Sequence, residues 1–221
     1  MDDNLTDQQR AEQVGIWLRE NGWYLLAGLA LGLAGLFGWR QWTGYNVSRG
    51  EQASALYEEL LSAIRVERTT RAEEIAAQLA ADYAATPYLD QARFAMAKMK
   101  FDRSHPEEAV KYLEQIVRDS RSPEIVNIAR LRLVRILAQE EKYDEALKVL
   151  TAPKGSAFEP LAHDVRGDVF YAMGLLDEAR AEYEAALKGD ESGVADQPFL
   201  RAKLAELAAG AAPEAAAPAA N

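Results

Sequence analysis

The sequence predicts an all-α protein: a single N-terminal transmembrane helix followed by a solenoid of stacked helix pairs. Three observations carry this reading. Residues 21–42, NGWYLLAGLALGLAGLFGWRQW, are apolar on every side of a helix; the rest of the chain reads as long Ala-, Leu-, Glu-, Lys- and Arg-rich runs with few strand signals; and one short pattern returns within those runs. The chain is therefore expected to divide into an N-terminal segment at 1–21, a membrane anchor at 22–42, a helical domain at 43–208 and an Ala- and Pro-rich tail at 209–221.

The N-terminal segment contains LTDQQRAEQVGIWLRE, where Thr6 followed by Gln9 fits a capping box and Val14, Trp17 and Leu18 share a face. A short helix ending at Asn21–Gly22 is expected. It either lies along the membrane surface with Trp17 inserted or forms the amphipathic start of the spanning helix.

The anchor follows from length. The 19 residues from Asn21 to Trp39 carry no charge, and as a helix they rise roughly 28 Å, close to the ~30 Å hydrocarbon core of a bilayer. Leu25, Leu26, Leu29, Leu31, Leu33, Leu36 and Phe37 point all round the wheel, so no polar stripe is kept for water; an unusually apolar core helix is the competing reading. Trp23 and Tyr24 open the run, while Trp39, Arg40 and Trp42 close it, where amphipathic rings favour the headgroup level. The exit GWRQWTGY is bulky and charged, unlike a signal-peptide cleavage point. Gly28 and Gly32 form a GxxxG pair, and Ala30, Ala34 and Gly38 repeat the small-xxx-small spacing on a neighbouring face. Such faces admit a second membrane helix, although spanning helices are also simply richer in Gly. Flanking charge does not choose an orientation: Arg10 and Arg19 stand on one side, Arg40 and Arg49 on the other.

Beyond the anchor, HPEEAVKYLEQIV, KYDEALKVLTAP and LLDEARAEYEAAL place Ala109, Ala146 and Ala179 in register at separations of 37 and 33 residues, bracketing the 34-residue period of tetratricopeptide repeats. A small residue there lets the second helix of a pair approach the first, with Leu113, Leu150 and Tyr183 as the bulky position one turn later. Gly174 suits the tight turn between paired helices; Ser104 and Glu141 stand where the consensus wants Gly, and the consensus Trp and Leu-Gly are missing, so the repeats are degenerate. An unrelated helical bundle is the alternative. Stacked pairs line a concave surface with their first helices, suited to a peptide or a partner helix. The register assigns to it Gln91, Phe94, Lys98 and Asp102 from the first pair. The second pair gives Leu131, Arg135 and Gln139; the third gives Asp164, Asp168 and Tyr171.

Chemistry is nearly absent. His105 and His163 lie in different units with no second ligand at i, i+4, and no phosphate loop, nucleophile elbow or dinucleotide fingerprint occurs. The Arg166–Asp168 tripeptide RGD falls mid-helix, where chance explains it. No catalytic residue, metal or cofactor is expected. With Lys+Arg 25 against Asp+Glu 35, the net charge of −10 disfavours nucleic acid, leaving protein partners as the default and no small-molecule substrate. The absence of Cys leaves the redox compartment open. The tail AAGAAPEAAAPAAN is low-complexity and expected to be disordered.

The acidic N-terminal segment, the Glu20–Gly22 entry and Gly38–Trp42 exit of the apolar run, and the VRGDVFYAMG stretch ahead of the third repeat together resemble the YfgM family of bacterial ancillary translocon subunits. The resemblance covers almost the whole chain, with the Ala/Pro tail departing from it. It implies a cytoplasmic N-terminus, a tetratricopeptide-like domain in the periplasm, association with the SecYEG translocon of the inner membrane, and a membrane-anchored periplasmic chaperone of the PpiD type as partner. The expected function is a non-enzymatic, membrane-anchored interaction module that links translocon and chaperones and assists secreted or envelope proteins. The alternative is a membrane-tethered regulator that sequesters a signalling protein through its repeats.

Overall fold

The computed structural model describes residues 7–151, 156–189 and 195–210, with side chains from residue 15 to residue 208 of these. Among the described residues every regular element is helical: α1 (Asp7–Arg65), α2 (Thr69–Asp82), α3 (Tyr88–Asp102), α4 (Pro106–Asp119), α5 (Pro123–Gln139), α6 (Tyr143–Val149), α7 (Glu159–Ala172), α8 (Leu176–Gly189) and α9 (Gln197–Gly210). The chain divides into two compact units, Met1–Ser54 and Ala55–Asn221.

In the first unit α1 passes through both expected breaks. The short helix thought to end at Asn21–Gly22 does not end there: the Asn21 amide donates to the Trp17 carbonyl at 3.1 Å, so its side chain follows the helix ladder instead of capping it. The boundary expected at 42/43 also lies inside α1. Gly44 and Gly50 weaken this stretch by about 1 kcal/mol each relative to Ala, against which Thr43 Oγ1 donates to Trp39 O at 2.8 Å and Arg49 donates to Tyr45 Oη at 2.7 Å. Thr6 of the expected capping box and the tail from 211 lie outside the described residues, as do the side chains of Gln9 and Val14.

The second unit is built from helix pairs, and its turns explain the pairing. Glu67, Ser104, Glu141 and Gly174 have φ of 59°, 61°, 59° and 78°, at spacings of 37, 37 and 33 residues. After each, the next backbone N–H reaches back five residues: Arg68 to Ala63 O, His105 to Lys100 O, Lys142 to Leu137 O and Leu175 to Phe170 O, all at 2.9 Å. The left-handed residue itself donates three residues back, as Glu141 does to Ala138 O at 3.1 Å. These paired bonds are the Schellman ending of a helix, which satisfies its last carbonyls and fixes the angle at which the chain leaves. Only one of the four turns uses Gly. The other three hold an L-residue in a region that costs it roughly 1–2 kcal/mol.

The Glu67 turn exposes a helix pair absent from the three-unit reading. Residues 55–65 of α1 act as its first helix and α2 as its second, and Ala72 stands 37 residues before Ala109. Ala72, Ala109, Ala146 and Ala179 are all fully buried. Each second helix therefore meets its partner through a methyl group, which permits close axial approach. Pairs stack because each leaves an apolar face uncovered. One cluster of buried residues runs from Ala97 on α3 through Leu113 and Ile116 on α4, Leu133 and Val134 on α5 and Ala146 on α6 to Val169 on α7. A second cluster joins Ala179, Tyr183 and Ala186 of α8 to Leu200 and Leu207 of α9. Helix starts carry their own signals: Pro106 and Pro123 at first-turn positions, Glu107 and Glu108 at the positive dipole end of α4, and Ser122 Oγ accepting from Ile125 N at 3.3 Å.

Polar clamps join neighbouring helices. Lys100, 7% exposed, is the single buried charged residue among the described residues and reaches Glu73 on α2 and Glu108 on α4, each at 2.5 Å. Burial pushes its ammonium down, but the Glu108 and Glu73 hydrogen bonds and charges outweigh that and leave its pKa raised. The hydrogen bond from Lys100 holds the Glu108 carboxyl below its ordinary range.

Candidate functional site

Two surfaces stand out, one in each unit. The first is the apolar stretch of α1. Trp23 is 76% exposed and Leu31 74%, and the other large apolar residues from Leu25 to Trp42 are likewise exposed. A core helix is excluded, because this window is 0% buried. Among the described residues one helix is long and apolar enough to cross a membrane. Trp39 and Trp42 pack at 5.5 Å between ring centroids beside the exposed Arg40, and Trp23 and Tyr24 sit at the other end of the run. A Cβ added at Gly28, Gly32 or Gly38 would meet nothing within 4 Å, and Ala30 and Ala34 are exposed beside them, so the small-residue faces are open.

The second surface lies on the repeats. Phe94, Lys98 and Asp102 of α3 and Arg135 of α5 line one cleft of about 360 Å³, joined by Ala97, Phe101, Leu113, Arg132 and Ile136. Its floor is apolar and its rim charged. Lys98 pairs with Asp102 at 2.8 Å along α3, while the Arg132 guanidinium lies 4.6 Å over the Phe94 ring. Gln91 and Gln139 are exposed on the same two helices but are not part of the cleft.

Leu131 is a correction. It is only 8% exposed and belongs to the core, and its neighbour Arg132 takes the place expected of it. A one-residue step turns a helix by 100°, so Leu131, placed 37 residues after Phe94, faces the core while Arg132 faces the cleft.

The third set is engaged by the chain itself. Asp164 and Asp168 both pair with Lys203 of α9, at 2.7 and 2.5 Å, and Tyr171 Oη donates to Glu206 at 3.1 Å. Lys203 also lies 5.0 Å over the Tyr183 ring. The α9 helix thus takes the position that the first helix of a further repeat would fill. Tyr183 Oη donates to Asp168 at 2.8 Å, and burial together with that carboxylate drives its pKa far above the usual phenol range.

The RGD tripeptide has a structural use in α7. Arg166 pairs with Glu182 at 3.1 Å, Asp168 holds Lys203 and Tyr183, and Gly167 is buried where a Cβ would fall 2.4 Å from Tyr183 Cε1. Gly167 therefore stands where close packing against Tyr183 requires a residue without a Cβ, a role missed when the tripeptide was put down to chance. Arg132 and Phe101 were also missed. The signal for Arg132 was RLRLVR, three arginines on one helix whose only acid is Glu124 in the first turn.

His105 Nδ1 sits 2.7 Å from the Arg103 carbonyl and His163 Nδ1 2.6 Å from Glu182; no group of three metal-ligating side chains occurs among the described residues.

A family profile described as a tetratricopeptide repeat-like domain matches residues 16–209. The chain is 30% identical over 191 residues to the ancillary SecYEG translocon subunit of Escherichia coli K12, covering 85% of this chain and 89% of that protein. It is 27% identical over 208 residues to the protein of the same name from Haemophilus influenzae, covering 92% and 98%. The Neisseria gonorrhoeae protein of that name is 26% identical over 207 residues, again covering 92% and 98%. A solved structure of kinesin-light-chain TPR-like repeats from Podosopora anserina shares the fold at a TM-score of 0.52 and 16% identity, covering 72% of this chain and 85% of that one. The profile begins inside the N-terminal helix and ends in α9, so the match takes in both units. This chain belongs to the YfgM family of ancillary SecYEG translocon subunits, interaction proteins built on tetratricopeptide-like repeats rather than enzymes.

Proposed function

We propose that the chain is a single-span inner-membrane protein whose anchor docks beside the SecYEG translocon while its repeat domain, on the periplasmic side, holds a chaperone of the PpiD type or an emerging polypeptide. The observation that carries the reading is the pairing of a fully exposed apolar helix, bracketed by Trp23 and Trp42, with a repeat domain that offers an apolar cleft. Relatives named as translocon subunits supply the membrane partner. Gly28 and Gly32 on one helix face, with Ala30, Ala34 and Gly38 beside them, provide the lateral contact. The mechanism is effective concentration: tethering two weak contacts to one patch of membrane raises the local concentration to roughly the millimolar range. Neither contact then needs to be strong.

Topology tests this. The chain has no Cys, so a single Glu184→Cys on the exposed face of α8 gives one reporter. In intact spheroplasts an impermeant maleimide labels this variant if the domain is periplasmic. Labelling only after lysis would place the repeats in the cytosol, where a regulator that sequesters a signalling protein is the fitting alternative.

A further inference from the structure

We infer that the cleft between α3 and α5 receives an acidic amphipathic segment of a partner protein, whose carboxylates are read by Arg132 and Arg135 and whose apolar side chains enter between Phe94, Phe101 and Ile136. This rests on the partner-binding reading above and adds the site and the chemistry of what it holds.

The argument begins with charge. The chain carries −10 overall, and the basic side chains that clamp its helices together are tied to carboxylates: Arg71 to Glu59 and Glu74, Arg93 to Asp119, Lys100 to Glu73 and Glu108, Arg166 to Glu182, and Lys203 to Asp164 and Asp168. Arg132 and Arg135 are distinguished by where they stand. Both are exposed, both line the cleft, and among the described residues neither has a carboxylate partner. They stand three apart, one helical turn, on a helix with no acid beyond its first turn. A negatively charged protein thus presents two exposed arginines beside its apolar cleft.

Geometry narrows the ligand. The Arg132 guanidinium carbon lies 4.6 Å over the Phe94 ring, a cation–π contact that positions the group without using its N–H donors. A planar, preoriented fork suits a carboxylate, which it can bind through two parallel hydrogen bonds. The cleft volume, about 360 Å³, lies at the low end of the roughly 300–1,000 Å³ of ligand pockets, enough for a few side chains and not for a folded surface. A helix that carries Glu or Asp next to Leu or Phe meets both demands, in the groove-binding mode of helical repeats.

The test uses the full chain in detergent and two fluorescein-labelled 14-residue peptides of identical Leu/Phe spacing, one with Glu at the remaining positions and one with Lys. The Glu peptide is expected to bind with an affinity that falls as salt rises, and R132E/R135E lowers that affinity by about tenfold or more. Arg121→Glu, on the exposed loop before α5, leaves it unchanged. Circular dichroism of each variant establishes that the fold is retained, as expected for exposed positions. Equal binding of the Lys peptide, or unchanged affinity in R132E/R135E, overturns the inference. Binding of a Glu peptide whose Leu and Phe are replaced by Ser, at undiminished affinity, overturns the apolar half of it. Recovery of SecYEG by the tagged wild-type chain is measured alongside: recovery without Glu-peptide binding defeats this inference alone, whereas absence of recovery defeats the functional reading on which it rests.

Discussion

Gly167→Ala separates close helix packing from ordinary helix propensity, because the two act in opposite directions at that position. In an exposed helix the change would stabilise by about 1 kcal/mol, since Ala loses less backbone entropy than Gly. Here the new Cβ would fall 2.4, 2.6 and 3.1 Å from Cε1, Cδ1 and Cζ of Tyr183, a ring that is 2% exposed and tied through its hydroxyl to Asp168 at 2.8 Å. The ring cannot swing away without leaving that bond. Overpacking of this kind costs about 1–3 kcal/mol, and three sub-contact distances to a fixed ring put it at the upper end. The net loss is about 2 kcal/mol, or about 4–8 °C in Tm for a domain of this size. All four Trp lie at positions 17–42, outside the repeats, so the melt is followed by circular dichroism at 222 nm on the detergent-solubilised chain. In a Tyr183→Leu background the ring atoms are gone, and Gly167→Ala becomes neutral or stabilising, a coupling of about 2–3 kcal/mol. A rise in Tm for the single variant, or an equal loss in both backgrounds, would refute the packing argument.

The interhelical turns give a second set. Ser104→Gly and Glu141→Gly each relieve a left-handed L-residue and raise stability by about 0.5–1 kcal/mol, seen as Tm increases that add, while Gly174→Ala lowers it by about 1 kcal/mol. Lys100→Met stays within about 1 kcal/mol of the parent, because the half-exposed Glu73 and Glu108 regain water, whereas Lys100→Ala leaves a cavity costing about 2 kcal/mol. The same clamp has a pH signature. The Glu108 pKa is depressed in the folded state from an ordinary 4.5, so its contribution is present above that value and disappears as pH falls through the lower, folded pKa. Urea melts between pH 6 and pH 3 should therefore lose part of their acid dependence in Lys100→Met. In the membrane, Gly28→Ile with Gly32→Ile should leave insertion intact and reduce co-purification of translocon subunits from mild detergent.

Much of this fold is legible in the sequence because its strongest signals are local. The uncharged run to Trp39 and the alanines at 109, 146 and 179 each answer to one physical demand: lipid on all sides in the first case, close helix approach in the second. What was not legible depends on context. The first helix pair has no start signal, because its leading helix is the continuation of α1 and Asn21–Gly22 does not break it. Ser104 and Glu141 read as departures from a Gly consensus, yet the chain takes the left-handed turn regardless, since the Schellman bonds and the buried faces on either side determine it. Leu131 and Arg132 changed places because a shift of one residue turns a helix by 100°, and spacing alone does not say which side of α5 the core covers. The groove side of α7 was read as open to a partner, while Lys203, 35 residues beyond Asp168 and on a helix with no repeat signature, reaches back to pair with it. A long-range ion pair of this kind leaves no local trace.

The most direct test of the account is recovery of SecYEG by the tagged full chain from gently solubilised inner membranes, beside a variant in which residues 22–42 are replaced by a Leu/Ala span of equal length. The account predicts that the parent brings down the translocon and that the replaced span, still inserted, loses most of that recovery. Equal recovery by both would contradict a specific role for the anchor, and no recovery by the parent would contradict the central claim.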